Sequence, residues 1–387
     1  MSIILETERL ILKPIQVSDA EAIFHFFTPS VTTYMYPAPA KTIDDTLQFI
    51  HSSIKMREEQ KEIVWVARLK YDDQFVGCMG LHKINTRTPE LGIWIQEGLF
   101  GKKLGLEGMT EIIKYARNNV AHDYLVYPVD RRNKPSRNIP ETLGGIYQNH
   151  SKIISQSGFE LDIIEYYIYK TLPENYKREV ILFQGDSITD CGRNRSDLYH
   201  LGDGYVNDLK ELFPNQILIN KGISGDRTEE LIGRWNEDVI IHKPDILTLL
   251  CGVNDVWHYY HFGKPIDKET FESNYIKLIE ETKKKLPQTE MVLIEPFSFQ
   301  IGAFQKEWRP MLDEFIEVVK MLAKTYDLKL IKMDEYMKTW EKTYGKEALL
   351  GDGVHPTELG HQMIASVLKP VLRDLVLKIQ INRKFEK

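Results

Sequence analysis

Beyond residue 178 the chain alternates short apolar runs with longer stretches of helical periodicity, and that alternation leaves few folds open. The runs fall at 180–184, 216–220, 245–251, 290–295 and 328–333. The helical stretches fall at 204–212, 227–241, 268–285, 304–325 and 357–376. Strand–helix alternation predicts an α/β unit, a parallel sheet with helices on both faces in three layers. Ligands of such sheets sit outside the carboxyl ends of the strands. Three runs end in short segments that mix glycine with Ser, Asp or Asn: Gly185-Asp-Ser187, Gly222-Ile-Ser-Gly-Asp226 and Gly252-Val-Asn-Asp255. The topology therefore predicts that these loops converge on one edge.

A fourth segment, Asp352-Gly-Val-His355, lies near the far end of the sequence. A serine hydroxyl is a poor nucleophile at neutral pH and needs a base within hydrogen-bond reach. Ser187 is the candidate nucleophile, His355 the base, and Asp352 the acid that fixes the imidazole tautomer. Attack on an ester carbonyl creates an oxyanion. The Ser187 and Gly225 N–H groups and the Asn254 side-chain amide are candidate donors to it. Taken singly, each piece has an ordinary reading: Gly-Asp-Ser as a turn, Asn254 as an Asx cap, Asp352 and His355 as a surface turn before a helix. In this order, each after a strand-like run or a glycine turn, they point together to acyl transfer through serine.

Trp257, His258, Tyr259, Tyr260 and His261 follow Asn254 directly. Aromatic faces stack on sugar rings, and they suit a packed loop or a contact between copies of the chain equally well. His258 and His261 have no carboxylate or cysteine at matching spacing, so no metal site is expected.

The first part of the chain follows another pattern. Strands are expected at 8–13, 63–70, 75–82, 90–96, 124–129 and 163–170, and helices at 18–27, 43–59, 103–118 and 134–143. This is an α+β unit with a mixed sheet. A polar, proline-containing stretch from Thr171 to Glu179 divides it from the rest, giving domains at 1–172 and 178–387.

A length of 387 residues suits two domains, each with its own core. A net charge of −6 and a pI near 6.0 exclude the basic footprint of a nucleic-acid-binding protein. The lysines at 283–285 read as a solvated helix face. The opening residues meet charge too early for a secretory signal, and no apolar run is long enough to span a bilayer, so the cytoplasm is the expected compartment. Cys78, Cys191 and Cys251 are scattered and odd in number, which indicates neither a disulfide framework nor a zinc site. Cys191, shortly after Ser187, reads as part of the site wall rather than as a reactive thiol.

Phe183-Gln-Gly-Asp-Ser-Ile-Thr-Asp190, Gly225, Asn254 and the Asp352/His355 pair resemble the SGNH (GDSL-type) hydrolases, over about 180–376. Asp190-Cys-Gly-Arg193, Asn220-Lys-Gly-Ile-Ser-Gly225 and Gly252-Val-Asn-Asp-Val-Trp257 resemble the acetylxylan and acetyl-xylooligosaccharide esterases within that superfamily. The resemblance implies a flavodoxin-like sheet and cofactor-free deacetylation through an acetyl-serine. It also implies substrate contacts from Asp186, Trp257 and Arg309. The chain departs from these relatives at Gly351, where they often carry a bulky residue before the acid.

Leu5-Glu-Thr-Glu-Arg-Leu-Ile-Leu-Lys-Pro14, Glu90-Leu-Gly-Ile-Trp-Ile95, Phe100-Gly-Lys-Lys-Leu-Gly-Leu-Glu107 and Asp130-Arg-Arg-Asn-Lys-Pro-Ser-Arg137 resemble GNAT acetyltransferases, over about 1–172. That resemblance implies acetyl-CoA as co-substrate and an amine acceptor. The pyrophosphate would be held by Gly101, Lys102, Lys103, Leu104 and Gly105, with Asn133 nearby. Lys103 stands where the family's loop usually has its second glycine. Glu90 is the candidate to handle the amine proton, and Ser136 to protonate the leaving thiolate. Their ordinary readings are a strand-end carboxylate and a helix cap. The reading that follows is an esterase for carbohydrate or other small acetyl esters fused to an acetyl-CoA-dependent N-acetyltransferase. The alternative is a broad short-chain carboxylesterase or thioesterase carrying a non-catalytic binding or dimerisation module.

Overall fold

A computed structural model describes residues 3–385. The chain forms two units, one running to Tyr176 and including the residues from Gln380 on, the other spanning Lys177–Ile379.

The first unit is built on an eight-stranded sheet. Its strands are β1 (Leu5–Glu6), β2 (Leu10–Pro14), β3 (Glu62–Leu69), β4 (Phe75–His82), β5 (Glu90–Ile95), β6 (Tyr124–Asp130), β7 (Gly145–Ile154) and β8 (Glu160–Tyr169). They lie in the order β1-β2-β3-β4-β5-β6-β8-β7. All neighbours are antiparallel except β5 and β6, which are parallel and share the one registered pair Glu90↔Val126. Helices Ala20–Phe26 and Ile43–Glu58 cover one face, where Ile23 and Ile50 pack with Val64, Val66 and Cys78. On the other face Gly108, in helix Leu104–Asn119, packs close against Met79.

β7 is absent from the sequence expectations. Its sequence, Gly-Ile-Tyr-Gln-Asn-His-Ser-Lys-Ile-Ile, is exposed from Asn149 onward, so no buried face imposes alternation on this edge strand.

The second unit holds a five-stranded parallel sheet of β9 (Val180–Gly185), β10 (Ile217–Asn220), β11 (Ile246–Leu250), β12 (Glu290–Ile294) and β13 (Lys329–Ile331). Their order, β10-β9-β11-β12-β13, is the flavodoxin-like one. Every residue of β11 is buried, which is why it reads as an unbroken apolar run. Helices Thr228–Asp238, Lys268–Lys285 and Arg309–Thr325 pack in succession. Trp235 Nε1 donates to Thr282 Oγ1 at 3.0 Å, and the Phe271 and Phe315 rings stack at 4.0 Å. Each fully buried side chain of this size contributes roughly 1.5–3 kcal/mol.

Two helices of ten residues or more in the second unit lie outside the expectations, Val253–Phe262 and Met333–Tyr344, as do the single turns Ser187–Asp190 and Lys346–Leu349. The first is rich in aromatic and β-branched residues of low helix propensity, and its packing overrides that preference. Gly263, at φ 64°, ends it. The expected helix at 204–212 is broken into Tyr205–Asp208 and a 3₁₀ turn at Lys210–Leu212. No helix among the described residues is long and apolar enough to cross a membrane.

Candidate active site

The switch in strand order falls between β9 and its neighbours β10 and β11, and the loops after these three strands carry most of the site. β9 ends at Gly185, where a Cβ would lie 2.4 Å from both Leu250 O and Thr189 Oγ1, so only glycine lets β9 turn against β11. Asp186 then caps the single turn Ser187–Asp190, its Oδ1 accepting the Ile188 N–H at 3.0 Å.

Ser187 Oγ lies 2.9 Å from His355 Nε2, and His355 Nδ1 lies 2.7 Å from Asp352 Oδ2. The other Asp352 oxygen accepts the N–H groups of Val354 (2.9 Å) and His355 (2.7 Å). Burial opposes ionisation of Asp352, but the His355 ring and these backbone donors outweigh it and hold the carboxyl below its ordinary value. An ionised carboxylate only accepts, so Nδ1 of His355 carries the proton and Nε2 is left to accept from the serine hydroxyl. The loop that presents the pair is strapped to another: Phe299 N–H donates to Gly353 O and Ala303 N–H to Asp352 O, both at 2.8 Å. The structure thus brings Ser187, His355 and Asp352 into one hydrogen-bonded chain.

Gly225, at φ 87°, lies in the loop after β10. Neither its N–H nor that of Ser187 has a protein acceptor among the described residues. Asn254, near the start of helix Val253–Phe262, is buried, and one amide hydrogen goes to Asp226 O at 3.0 Å. That bond fixes the side-chain amide beside the Gly225 loop and leaves its second hydrogen without a protein acceptor among the described residues.

Three residues that the sequence reading does not single out hold these loops in place. Asp190 Oδ2 accepts from Ser224 N (2.9 Å), Ser224 Oγ (2.8 Å) and Arg195 (2.5 Å), tying the serine turn to the Gly225 loop. Asn220 donates to Thr189 O (2.6 Å) and Leu201 O (2.7 Å). Arg234 reaches Gly185 O, Lys221 O and Asp226. The signal for Asp190 and Asn220 is a polar residue at the end of a motif, which says nothing of its partner; Arg234, inside helix Thr228–Asp238, lies outside every motif.

Trp257 is brought to the site, its ring centroid 6.4 Å from that of His355 and 5.8 Å from that of Trp308. Tyr260 stacks on Trp308 at 5.7 Å, so part of the aromatic run serves packing. Asp186 is buried, and burial pushes its carboxyl up to about 7. Arg309 requires a correction. Its guanidinium donates to Asp334 at 2.9 and 2.6 Å, to Asp313 at 2.8 Å and to Ser298 O at 3.2 Å. All three nitrogens are engaged within the protein, so Arg309 is a buried strut rather than a substrate contact. Cys191 lies 3.3 Å from His361 Nε2, and burial pushes its thiol up, which suits a wall residue.

In the first unit, Gly101 (φ 77°), Lys102 and Lys103 lead into helix Leu104–Asn119, with Leu104 buried and Gly105 packed under Ile93 and Ile139. Lys103 takes φ 60°, the left-handed region that favours glycine. Asn133 caps helix Lys134–Thr142 by accepting the Ser136 N–H at 3.2 Å, so its side-chain oxygen serves the helix rather than a cofactor. The cap is therefore Asn133 and not Ser136, whose hydroxyl lies 3.0 Å from the buried Tyr127 OH. The Glu90 carboxylate is held by Lys83 Nζ at 2.7 Å.

Residues 183–363 match the GDSL-like Lipase/Acylhydrolase family, and residues 9–146 match the Acetyltransferase (GNAT) domain. Over 201 residues the chain is 35% identical to an acetylxylan esterase of Geobacillus stearothermophilus, covering 48% of this chain and 90% of that one. Over 115 residues it is 29% identical to the uncharacterized N-acetyltransferase YoaA of Bacillus subtilis (strain 168), covering 29% of this chain and 65% of that one. Among solved structures it is similar to a GDSL-like lipase from Parabacteroides merdae, at 34% identity and a TM-score of 0.48, covering 52% of this chain and all (100%) of that one. The chain belongs to the GDSL-like lipase/acylhydrolase family of serine esterases, and carries a GNAT acetyltransferase domain ahead of the esterase.

Proposed function

We propose that the second unit removes O-acetyl groups from carbohydrates through an acetyl-serine intermediate, with Ser187 as nucleophile, His355 as base and Asp352 as its orienting acid. The observation that carries this reading is the hydrogen-bonded chain from Asp352 through His355 to the Ser187 hydroxyl. As Ser187 Oγ attacks the ester carbonyl, its proton passes to His355 Nε2, and the Ser187, Gly225 and Asn254 donors take the oxyanion. As the intermediate collapses the ester C–O bond breaks, and the imidazolium gives its proton to the leaving sugar oxygen, which departs as a hydroxyl. Water, activated by the same imidazole, releases acetate. The attacking oxygen is activated by imidazole alone, so this reading requires no cofactor. The acetyl preference follows the acetylxylan esterase relative, and the Trp257 ring beside His355 offers a face for a sugar.

In the same reading the first unit transfers acetyl from acetyl-CoA to an amine. The loop from Gly101 to Gly105 receives the pyrophosphate, and the protein works in the cytoplasm, where acetyl-CoA is abundant. The test is release of acetate from acetylated xylooligosaccharides and from p-nitrophenyl acetate by the full chain and by Ser187→Ala. A loss of about 10⁴–10⁶-fold in kcat is expected for the variant. Equal rates would remove Ser187 from the mechanism.

A further inference from the structure

A cavity of about 690 Å³ lies in the first unit between helices Ala20–Phe26 and Ile43–Glu58 and the strands β3, β4 and β5. Its lining is largely apolar, with Ile23, Phe27, Phe49, Val64 and Trp94, and His82 is its one imidazole. Strand register sets Glu62, His82 and Glu90 side by side across β3, β4 and β5. Opposed residues of an antiparallel pair face the same way.

His82 Nδ1 lies 2.8 Å from Glu62 Oε2. Burial opposes ionisation of Glu62, but the His82 ring and the Ser53 hydroxyl outweigh it and hold the carboxyl below its ordinary value. In the neutral ring the Nδ1 proton is therefore directed at Glu62, and Nε2 carries the lone pair. No protein group among the described residues hydrogen-bonds Nε2. The ring lies over Gly80 and Gly92, which oppose each other on β4 and β5. A Cβ would fall 2.4 Å from Nε2 at Gly80 and 3.0 Å from it at Gly92, so both glycines make room for this ring. Glu90, the carboxylate next in the row, is already paired with Lys83. The arrangement repeats the Asp352–His355 pair of the other unit with no hydroxyl attached.

We propose that His82 is the general base of the first unit and takes the proton from an amine carried on an apolar or aromatic skeleton, with Glu62 as its positioning residue. This rests on the acetyltransferase reading of that unit. Nε2 removes a proton from the ammonium form, and the freed nitrogen lone pair attacks the thioester carbonyl of acetyl-CoA. The C–N bond forms, the C–S bond breaks, and CoA leaves as thiolate. The thiolate takes the proton shed by the new amide nitrogen, and His82 returns its own to water.

The experiment uses the full chain with acetyl-CoA, taking 2-phenylethylamine as probe and glucosamine as polar comparison. It follows CoA release and amide mass, and measures acetyl-CoA binding by calorimetry. His82→Ala is expected to bind acetyl-CoA as wild type does and to lose about 10²–10⁴-fold in kcat, partly restored by added imidazole. Glu62→Gln is expected to lower kcat with KM for acetyl-CoA unmoved. If His82→Ala loses acetyl-CoA binding, His82→Gln decides in the same assay. A wild-type kcat in whichever variant binds acetyl-CoA overturns the base assignment and leaves the acetyltransferase reading standing. Wild type that binds acetyl-CoA yet prefers glucosamine, or acetylates neither amine, overturns the proposed acceptor class. Wild type that neither binds acetyl-CoA nor acetylates either amine overturns the acetyltransferase reading and this inference with it.

Discussion

His355 and Asp352 meet twice: the ring Nδ1 donates to Oδ2 at 2.7 Å, and the backbone N–H of the same histidine donates to Oδ1, also at 2.7 Å. The carboxylate thereby fixes both the tautomer and the main chain of the residue it serves. Asp352→Asn keeps an acceptor for the backbone but presents the ring with an amide that can stabilise the wrong tautomer. A loss of about 10⁴-fold in kcat for p-nitrophenyl acetate is expected, with an unchanged melting temperature. A loss below tenfold would mean that the acid is dispensable.

Asn254→Ala removes a candidate oxyanion donor and the bond to Asp226 O. The expected fall is about 10²–10³-fold in kcat with a small change in KM, because the donor acts on charge that develops only in the transition state. Initial rates across substrate concentration separate the two parameters.

Arg309→Ala removes the guanidinium from the buried Asp334 carboxylate, leaving it Lys338 Nζ at 2.7 Å, and strips Ser298 O and Asp313 of their donor. Denaturant unfolding should show a loss of about 3–5 kcal/mol. The folded fraction should hydrolyse xylooligosaccharide acetates with an unchanged KM. A raised KM without loss of stability would return Arg309 to the substrate site.

Lys103→Gly relieves a side chain held at φ 60°. A gain of about 0.5–1 kcal/mol is expected after the extra backbone entropy of glycine is offset, and Lys103→Ala should show none. Thermal melting of the two variants side by side gives the answer.

Asp255 is buried, and burial pushes its carboxyl from an ordinary value of 3.8 up to about 7, against the hydrogen bonds from Thr228. A raised folded value means that the folded state holds its proton longer than the unfolded chain does. The resulting stability is full below about pH 3.8 and is lost as the pH rises through about 7. Melting temperatures from pH 4 to 7.5 should show Asp255→Asn gaining on wild type as pH increases; a constant gap would contradict the assignment.

The strand–helix alternation made the second unit legible, because fully buried parallel strands must be apolar throughout. Ser187 was legible for the same reason, since the end of β9 dictates where its loop goes; Asp352 and His355 follow no strand and were legible from their glycine turn and their place in the ordered set. The helix carrying Trp257 was not, since its aromatic composition follows the packing of Trp308 and Tyr260 rather than helical preference. The commitment of Arg309 to Asp334 joins residues 25 positions apart, a pairing that no local pattern records. Glu62 and His82 escaped for a related reason, since only the pairing of β3 with β4 sets them side by side.

The strap that ties Phe299 to Gly353 and Ala303 to Asp352 is separate from the helix that carries Trp257. The Asp352–His355 pair and the Trp257 ring are thereby anchored on different stretches of backbone. Under the esterase reading, esters with other alcohol portions are accommodated by exchanging residues from Trp257 to Phe262, past Asn254, while the proton-handling pair keeps its alignment.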